Sequence, residues 1–204
     1  QKPASFIKWR DETLDDFVFS LKAPRFATNR RVLAEAGDSI DRFFASGVTE
    51  LGDKLGPVNW QFATSKAFDP QDFGAFLALL PSEVDGRAIR HVVEVRHASF
   101  QVPEFVELVR EHGVAVVVAA DSEFPLIADS TASFVYVRAM GTVEGAASGY
   151  APKALDAWAE RARAWADGGT PDGFETIAGA ADKTPRDVFL YFISGHKAAN
   201  PAAA

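Results

Sequence analysis

Cysteine is absent from the 204-residue chain, and with it go disulfide bonds and every thiolate metal site. A reducing compartment, the cytoplasm, is the expected location on that ground. Long apolar runs are missing too, and nothing approaches the roughly 18 residues that a membrane helix needs. Basic residues are outnumbered, 21 Lys and Arg against 28 Asp and Glu, which leaves a net charge of −7. That balance argues against non-specific binding to nucleic acid or to an acidic membrane surface. Neither Gly-x-Gly-x-x-Gly nor Gly-x-x-x-x-Gly-Lys-Ser/Thr occurs, so no dinucleotide fingerprint or phosphate loop is offered. Gly-x-Ser-x-Gly is missing as well, which removes the nucleophile-elbow type of hydrolase. The start, Gln1 to Ser5, lacks an initiator Met and the regions of a leader peptide, as expected of a fragment or of a chain without its first segment.

What is present is ordinary globular material. Hydrophobic residues make up 48% and charged residues 24%, so a core can form without covalent staples. Six short apolar runs read as strands: Phe17–Ala23, Val58–Ala63, His91–Arg96, Ala115–Asp121, Phe134–Met140 and Asp187–Ile193. Most are nearly continuous rather than alternating, as strands covered on both faces are. Helical spacing lies between several of them. Ala34–Leu51 puts Ile40, Phe43, Phe44, Val48 and Leu51 on one side. Pro70–Leu80 follows Asp69 as N-cap, Pro103–His112 ends at Gly113, and Pro152–Trp165 ends before Gly168. The segment from Asp121 to Phe134 is too short for a full crossover helix, and Gly168–Asp187 reads as a long loop. Strand alternating with helix predicts a parallel sheet, either open and doubly wound or closed into a barrel. A barrel needs eight strands, and six are counted.

Side chains two apart share a strand face, and this rule gives a recurring pattern. Ser20 pairs with Lys22, Asn59 with Gln61, Glu94 with Arg96, and Tyr136 with Arg138; His97 and Ser99 follow Arg96, and the fourth run closes in Asp121-Ser122. Five of the six runs thus end in polar groups at their C-terminal ends, where parallel α/β folds place ligand sites. Glu94, His97 and Asp121 are the candidates for acid–base catalysis, and Lys22, Gln61, Arg96, Tyr136 and Arg138 for substrate binding. Structural alternatives stand beside each. Glu94 and Arg96 suit an ion pair lining a barrel, Lys22 a helix cap or an outward stem, Gln61 a bond to loop backbone, and Asp121-Ser122 a turn. Arg138, after Val135-Tyr136-Val137, needs a buried anion or water. His91 and His112 read as structural, and the Glu94, His97 and Asp121 set lacks a metal-site spacing, so no metal is assigned.

Several of these segments resemble one family. Lys22-Ala23-Pro24-Arg25, Leu51–Pro57 leading to Gln61, Glu94–Phe100, Tyr136-Val137-Arg138 before Gly141, and Tyr191–Gly195 are similar, in order, to the YecE-like proteins, domain of unknown function 72. The resemblance implies an α/β fold of the TIM-type (β/α)8 barrel class, in a bacterial family without an established activity. Members usually begin with a Gly-Thr-Ser-Gly-Trp strand and a strand carrying Glu-Ile-Asn; neither precedes the Trp9 region here, which implies an incomplete barrel of about six strands in one domain, 1–204. The chain departs from the family pattern at Asn29 and Met140, where histidines are common, and at Phe100, where Trp is usual. The expectation is an enzyme, a hydrolase or isomerase, acting on a small polar or anionic molecule at the C-terminal strand ends. No cofactor is indicated, and the sequence fixes no oligomeric state. The alternatives are a non-catalytic ligand-binding or nucleic-acid-associated module, and a scaffold whose polar ring is structural.

Overall fold

The structure, a computed structural model, describes residues 1–204. It divides into two compact units, Gln1–Glu94 and Val95–Ala204.

The first unit carries α1 (Pro3–Glu12), β1 (Phe19–Lys22), α2 (Arg25–Thr28), α3 (Gly37–Phe44), β2 (Leu55–Gln61), α4 (Pro70–Ala78), a short pair β3 (Glu83–Val84) and β4 (Arg87–Ala88), and β5 (His91–Glu94). Strand β2 lies between β1 and β5 and is parallel to both. One face of β2 presents Val58 and Trp60, both fully buried, and the indole of Trp60 meets Phe43 of α3 at 5.8 Å and Phe76 of α4 at 5.7 Å. Helix α4 starts as its sequence predicts. The Asp69 carboxylate accepts from the backbone N–H of Gln71 and Asp72, both at 3.0 Å, and Pro70 takes the first helical position.

The single helix expected over Ala34–Leu51 is instead three pieces: a turn at Leu33–Glu35, α3, and a second 3-10 stretch at Val48–Lys54. Gly47, with φ 90°, breaks it, and a Cβ there would lie 2.8 Å from the Pro3 ring. The apolar spacing runs on past Gly47 because both flanking pieces bury the same side, which imitates one helix. The β3–β4 hairpin was not anticipated. It turns through Asp85 and Gly86, both at positive φ, the Asp-Gly pair that a two-residue hairpin loop favours.

Helix α1 is closed by a lysine from elsewhere in the unit. Buried Lys54 donates to the carbonyls of Arg10 at 2.6 Å and Thr13 at 2.8 Å, which answers the free carbonyls and the negative end of the helix. Lys54→Met keeps the stem but deletes the donors. It is expected to lower unfolding stability by about 1–3 kcal/mol in a urea titration, whereas Lys8→Met, which removes only an exposed pair with Glu12, leaves the midpoint nearly unmoved.

The second unit carries α5 (Pro103–Glu111), β6 (Ala115–Ala120), β7 (Phe134–Ala139), α6 (Pro152–Ala166), β8 (Asp187–Phe192) and the short α7 (Asn200–Ala203). Strand β7 lies between β6 and β8, again parallel to both. Val118, Ala120, Val135, Val137 and Ala139 pack on Trp158 and Trp165 of α6. No helix joins β6 to β7, as the segment's length requires. The irregular stretch from Gly168 towards Asp187 is held by side chains serving backbone groups. Buried Asp129 accepts from the N–H of Ile177 and Ala178 at 2.8 and 2.9 Å, and Arg186 donates to the carbonyls of Asp182, Thr184 and Gly168 at 2.7, 3.0 and 3.2 Å. No helix of the chain is long and apolar enough to cross a membrane.

Candidate functional site

In the first unit the face of β2 opposite Trp60 is polar. Register pairs Lys22 with Asn59 and Gln61 with Glu94, so the ends of β1, β2 and β5 stand side by side. Gln61 Nε2 donates to Glu94 Oε1 at 2.7 Å, and Asn59 Nδ2 donates to Oε2 at 3.1 Å. The Glu94 side chain is completely buried, a carboxylate fixed by two strand amides. Gln61 also uses its backbone carbonyl, which accepts from Thr28 Oγ1 at 2.7 Å. Lys22 is exposed at the end of β1.

His91 is structural, as its sequence position suggested. Trp60 Nε1 can only donate, so His91 Nδ1 accepts that bond at 3.0 Å, and Nε2 must carry the proton it gives to the Pro81 carbonyl at 2.8 Å. Both bonds need the neutral ring, and burial pushes its pKa below the ordinary histidine value.

In the second unit Asp121 takes the position just beyond β6 with φ 53°, a left-handed conformation that carries a steric cost for a residue with a Cβ. Its exposed carboxylate accepts from the Tyr150 hydroxyl at Oδ2, 2.8 Å, and the phenol oxygen accepts in turn from the Gly141 N–H at 2.8 Å. Gly141 must lack a side chain, because a Cβ would come within 2.6 Å of Asp121 Cβ and 3.0 Å of the phenol oxygen. Burial, reinforced by the bond to Asp121, raises the Tyr150 pKa well above the phenol range. A raised folded pKa keeps the phenol a donor, and the stability it contributes is lost only as pH climbs through that value.

The remaining candidates of this unit fall on the same strands and their flanks. The alternation rule puts Tyr136 and Arg138 on the face opposite the tryptophan-packed side; Arg138 sits in register between Ala119 and Tyr191, and the Tyr136 ring lies 5.1 Å from that of Tyr191. Arg96 places its guanidinium 4.3 Å above the Phe124 ring. His97 Nδ1 accepts from the Ser99 N–H at 3.2 Å and faces Ser99 Oγ at 2.8 Å, which leaves Nε2 to carry the proton. His97 and Asp121 do not bond each other. Ser122 supplies the turn chemistry suggested for Asp121-Ser122, donating to the Ala119 carbonyl at 2.8 Å.

Tyr150 escaped the sequence reading. It stands ahead of α6, outside any strand pattern, and only the aromatic residue before Ala151-Pro152 marks it. No three His, Asp or Glu side chains are grouped closely enough to hold a metal ion.

The whole chain, residues 1–204, matches the family described as Protein of unknown function DUF72. It is similar to UPF0759 protein YecE of Escherichia coli strain K12, with 30% identity over 102 residues, 48% of this chain and 35% of that protein. The match to YecE of strain O157:H7 has the same extent, so the aligned stretch spans about a third of these relatives' length, 35%. Among solved structures, a DUF72 family protein from Thermotoga maritima MSB8 superposes with a TM-score of 0.65 and 20% identity, over 99% of this chain and 77% of that one. A DUF72 family protein from Enterococcus faecalis V583 does so with a TM-score of 0.69 and 14% identity, over 100% of this chain and 81% of that one. At such identities the likeness speaks for the fold alone. It gives the six parallel strands their class, the incomplete TIM-type barrel that the sequence led one to expect.

Proposed function

Since this chain belongs to DUF72, a family without an assigned activity, we propose from its own chemistry that it is an acid–base enzyme for a small polar or anionic substrate, with Asp121 as the proton-transferring group. The observation that carries this is the effort spent on one exposed carboxylate. A strained backbone, a phenol held protonated and a glycine that cannot be anything larger all fix Asp121 at a strand's C-terminal end. Asp85, an aspartate at a hairpin turn, shares the left-handed backbone but has neither a phenol on its carboxylate nor a glycine packed against its Cβ.

In this reading the Tyr150 hydroxyl occupies Oδ2, and Oδ1 takes a proton from the substrate or from an attacking water. Arg138, half-buried on the adjacent strand, holds the substrate's anionic group, with Tyr136 forming an apolar floor. His97, through its Nε2–H, donates to the oxygen that gains charge. Glu94, enclosed by Gln61 and Asn59, acts as a positioning group in its own unit.

The test is a proton-NMR screen of hydroxy acids, keto acids and sugar acids with the full chain and with Asp121→Asn. Conversion by the parent and none by the variant is the expected result. Binding without conversion of any compound would instead favour a non-catalytic ligand-binding module. Conversion that survives Asp121→Asn would remove the proposed role.

A further inference from the structure

Neither Arg30 nor Arg31 was singled out by the strand-end pattern, yet they line a cavity of about 390 Å³ in the first unit, with Thr28, Asn29, Ala63, Ser65 and Lys66. We propose that this cavity binds the phosphate group of a small phosphorylated molecule, with the Arg30 and Arg31 guanidinium groups as its ligands. The inference rests on the first unit alone and does not depend on the role of Asp121.

Three observations support it. The first concerns unmet donors. Arg30 is anchored by one bond, Nη2 to Ser39 Oγ at 3.1 Å, while its Nε–H is buried and has no acceptor. The guanidinium is thus only partly satisfied within the chain, and Nη1, which makes no bond and is not buried, is the donor left for an oxyanion in the cavity.

The second is charge. Lys66 pairs with Asp72 at 3.1 Å, so those two cancel, whereas neither arginine meets a carboxylate. No acidic side chain lines the cavity. Two uncompensated positive charges in a chain of net charge −7 suit a dianion better than a singly charged carboxylate. The planar guanidinium fork also fits phosphate oxygens in pairs.

The third is preorganisation. Lys66 Nζ donates to the carbonyls of Arg30 and Arg31 at 3.2 and 2.9 Å, and Asp72 Oδ1 accepts from the N–H of Leu33 at 2.6 Å and of Ala34 at 3.3 Å. The loop bearing both arginines is therefore bolted to the start of α4 before any ligand arrives, which spares the ordering cost of binding. The Thr28 bond to the Gln61 carbonyl holds a further lining residue in place.

Calorimetric titration of the full chain with inorganic phosphate, near pH 8 where the dianion dominates, tests the assignment. One phosphate per chain is expected, bound at least about tenfold more tightly than acetate, and Arg30→Gln is expected to weaken it by about tenfold or more. Because Arg30 also bonds Ser39, thermal unfolding of that variant is followed in parallel. Should it fail to fold, Arg31→Gln, at an exposed position, decides the matter with an expected loss of about threefold to tenfold. No phosphate binding by the parent, or affinity unchanged in a folded arginine variant, would overturn the proposal, as would acetate binding as tightly as phosphate.

Discussion

Asp121→Asn is expected to reduce turnover of a substrate found in the NMR screen about 10²–10⁴-fold while the protein stays folded. Asparagine keeps an oxygen for the Tyr150 hydroxyl, so the local geometry survives and only the proton-transferring capacity is lost. Tyr150→Phe retains the carboxylate but frees it to rotate, and its loss should be smaller, about tenfold. It also leaves the Gly141 N–H without its acceptor. Gly141→Ala attacks the same assembly from the backbone. A Cβ 2.6 Å from that of Asp121 forces the two strand ends apart, so turnover should fall with about 1–3 kcal/mol of stability. The order expected is therefore Asp121→Asn hardest on rate with stability intact, and Gly141→Ala affecting both. Equal rates across the three variants would mean that the carboxylate is a turn residue and nothing more.

Trp60→Ala should have the largest effect on stability, a loss of about 3–5 kcal/mol measured by urea unfolding. The ring is fully buried against Phe43 of α3 and Phe76 of α4, so its removal opens a cavity in that packing. Trp60→Phe separates packing from hydrogen bonding, because it leaves His91 Nδ1 buried without a donor at a cost of about 1–3 kcal/mol. The same pair gives the first unit a pH dependence. His91 has a folded pKa below its unfolded value of about 6.5, so the neutral ring's contribution is complete above that pH. It is lost as pH falls through the folded value, because protonating Nδ1 sets two donors against each other. Stability should decline on acidification, and His91→Phe should remove that component of the slope. An identical slope in the variant would show that other groups carry the acid sensitivity.

The strands were the most legible part of the fold. Five of the six apolar runs contain a whole strand, as Ala115–Asp121 contains Ala115–Ala120, and Val58–Ala63 overlaps Leu55–Gln61, because burial leaves a mark in composition alone. Helix boundaries were legible where a cap stands in the sequence, as at Asp69-Pro70, and failed where the decisive residue was a glycine packed on a distant proline. Gly47 looks like any helical glycine until Pro3 is brought against it. The Asp85-Gly86 hairpin was readable from its turn chemistry and passed unnoticed because two-residue strands leave almost no apolar pattern.

The candidate site divides along the same line. Periodicity of two within a strand is a local property, so sequence alone placed Asn59 with Gln61 and Tyr136 with Arg138 on shared faces, and put ionisable groups at the strand ends. Register between strands is set by packing of whole apolar faces. Only the tertiary structure could therefore lay Gln61 and Asn59 against Glu94, bring Tyr150 to Asp121 across 29 residues, or leave Arg30 with a buried donor unanswered. Spacing along one segment is dictated by bond geometry, whereas contact between segments is a choice among many arrangements that the buried core makes last.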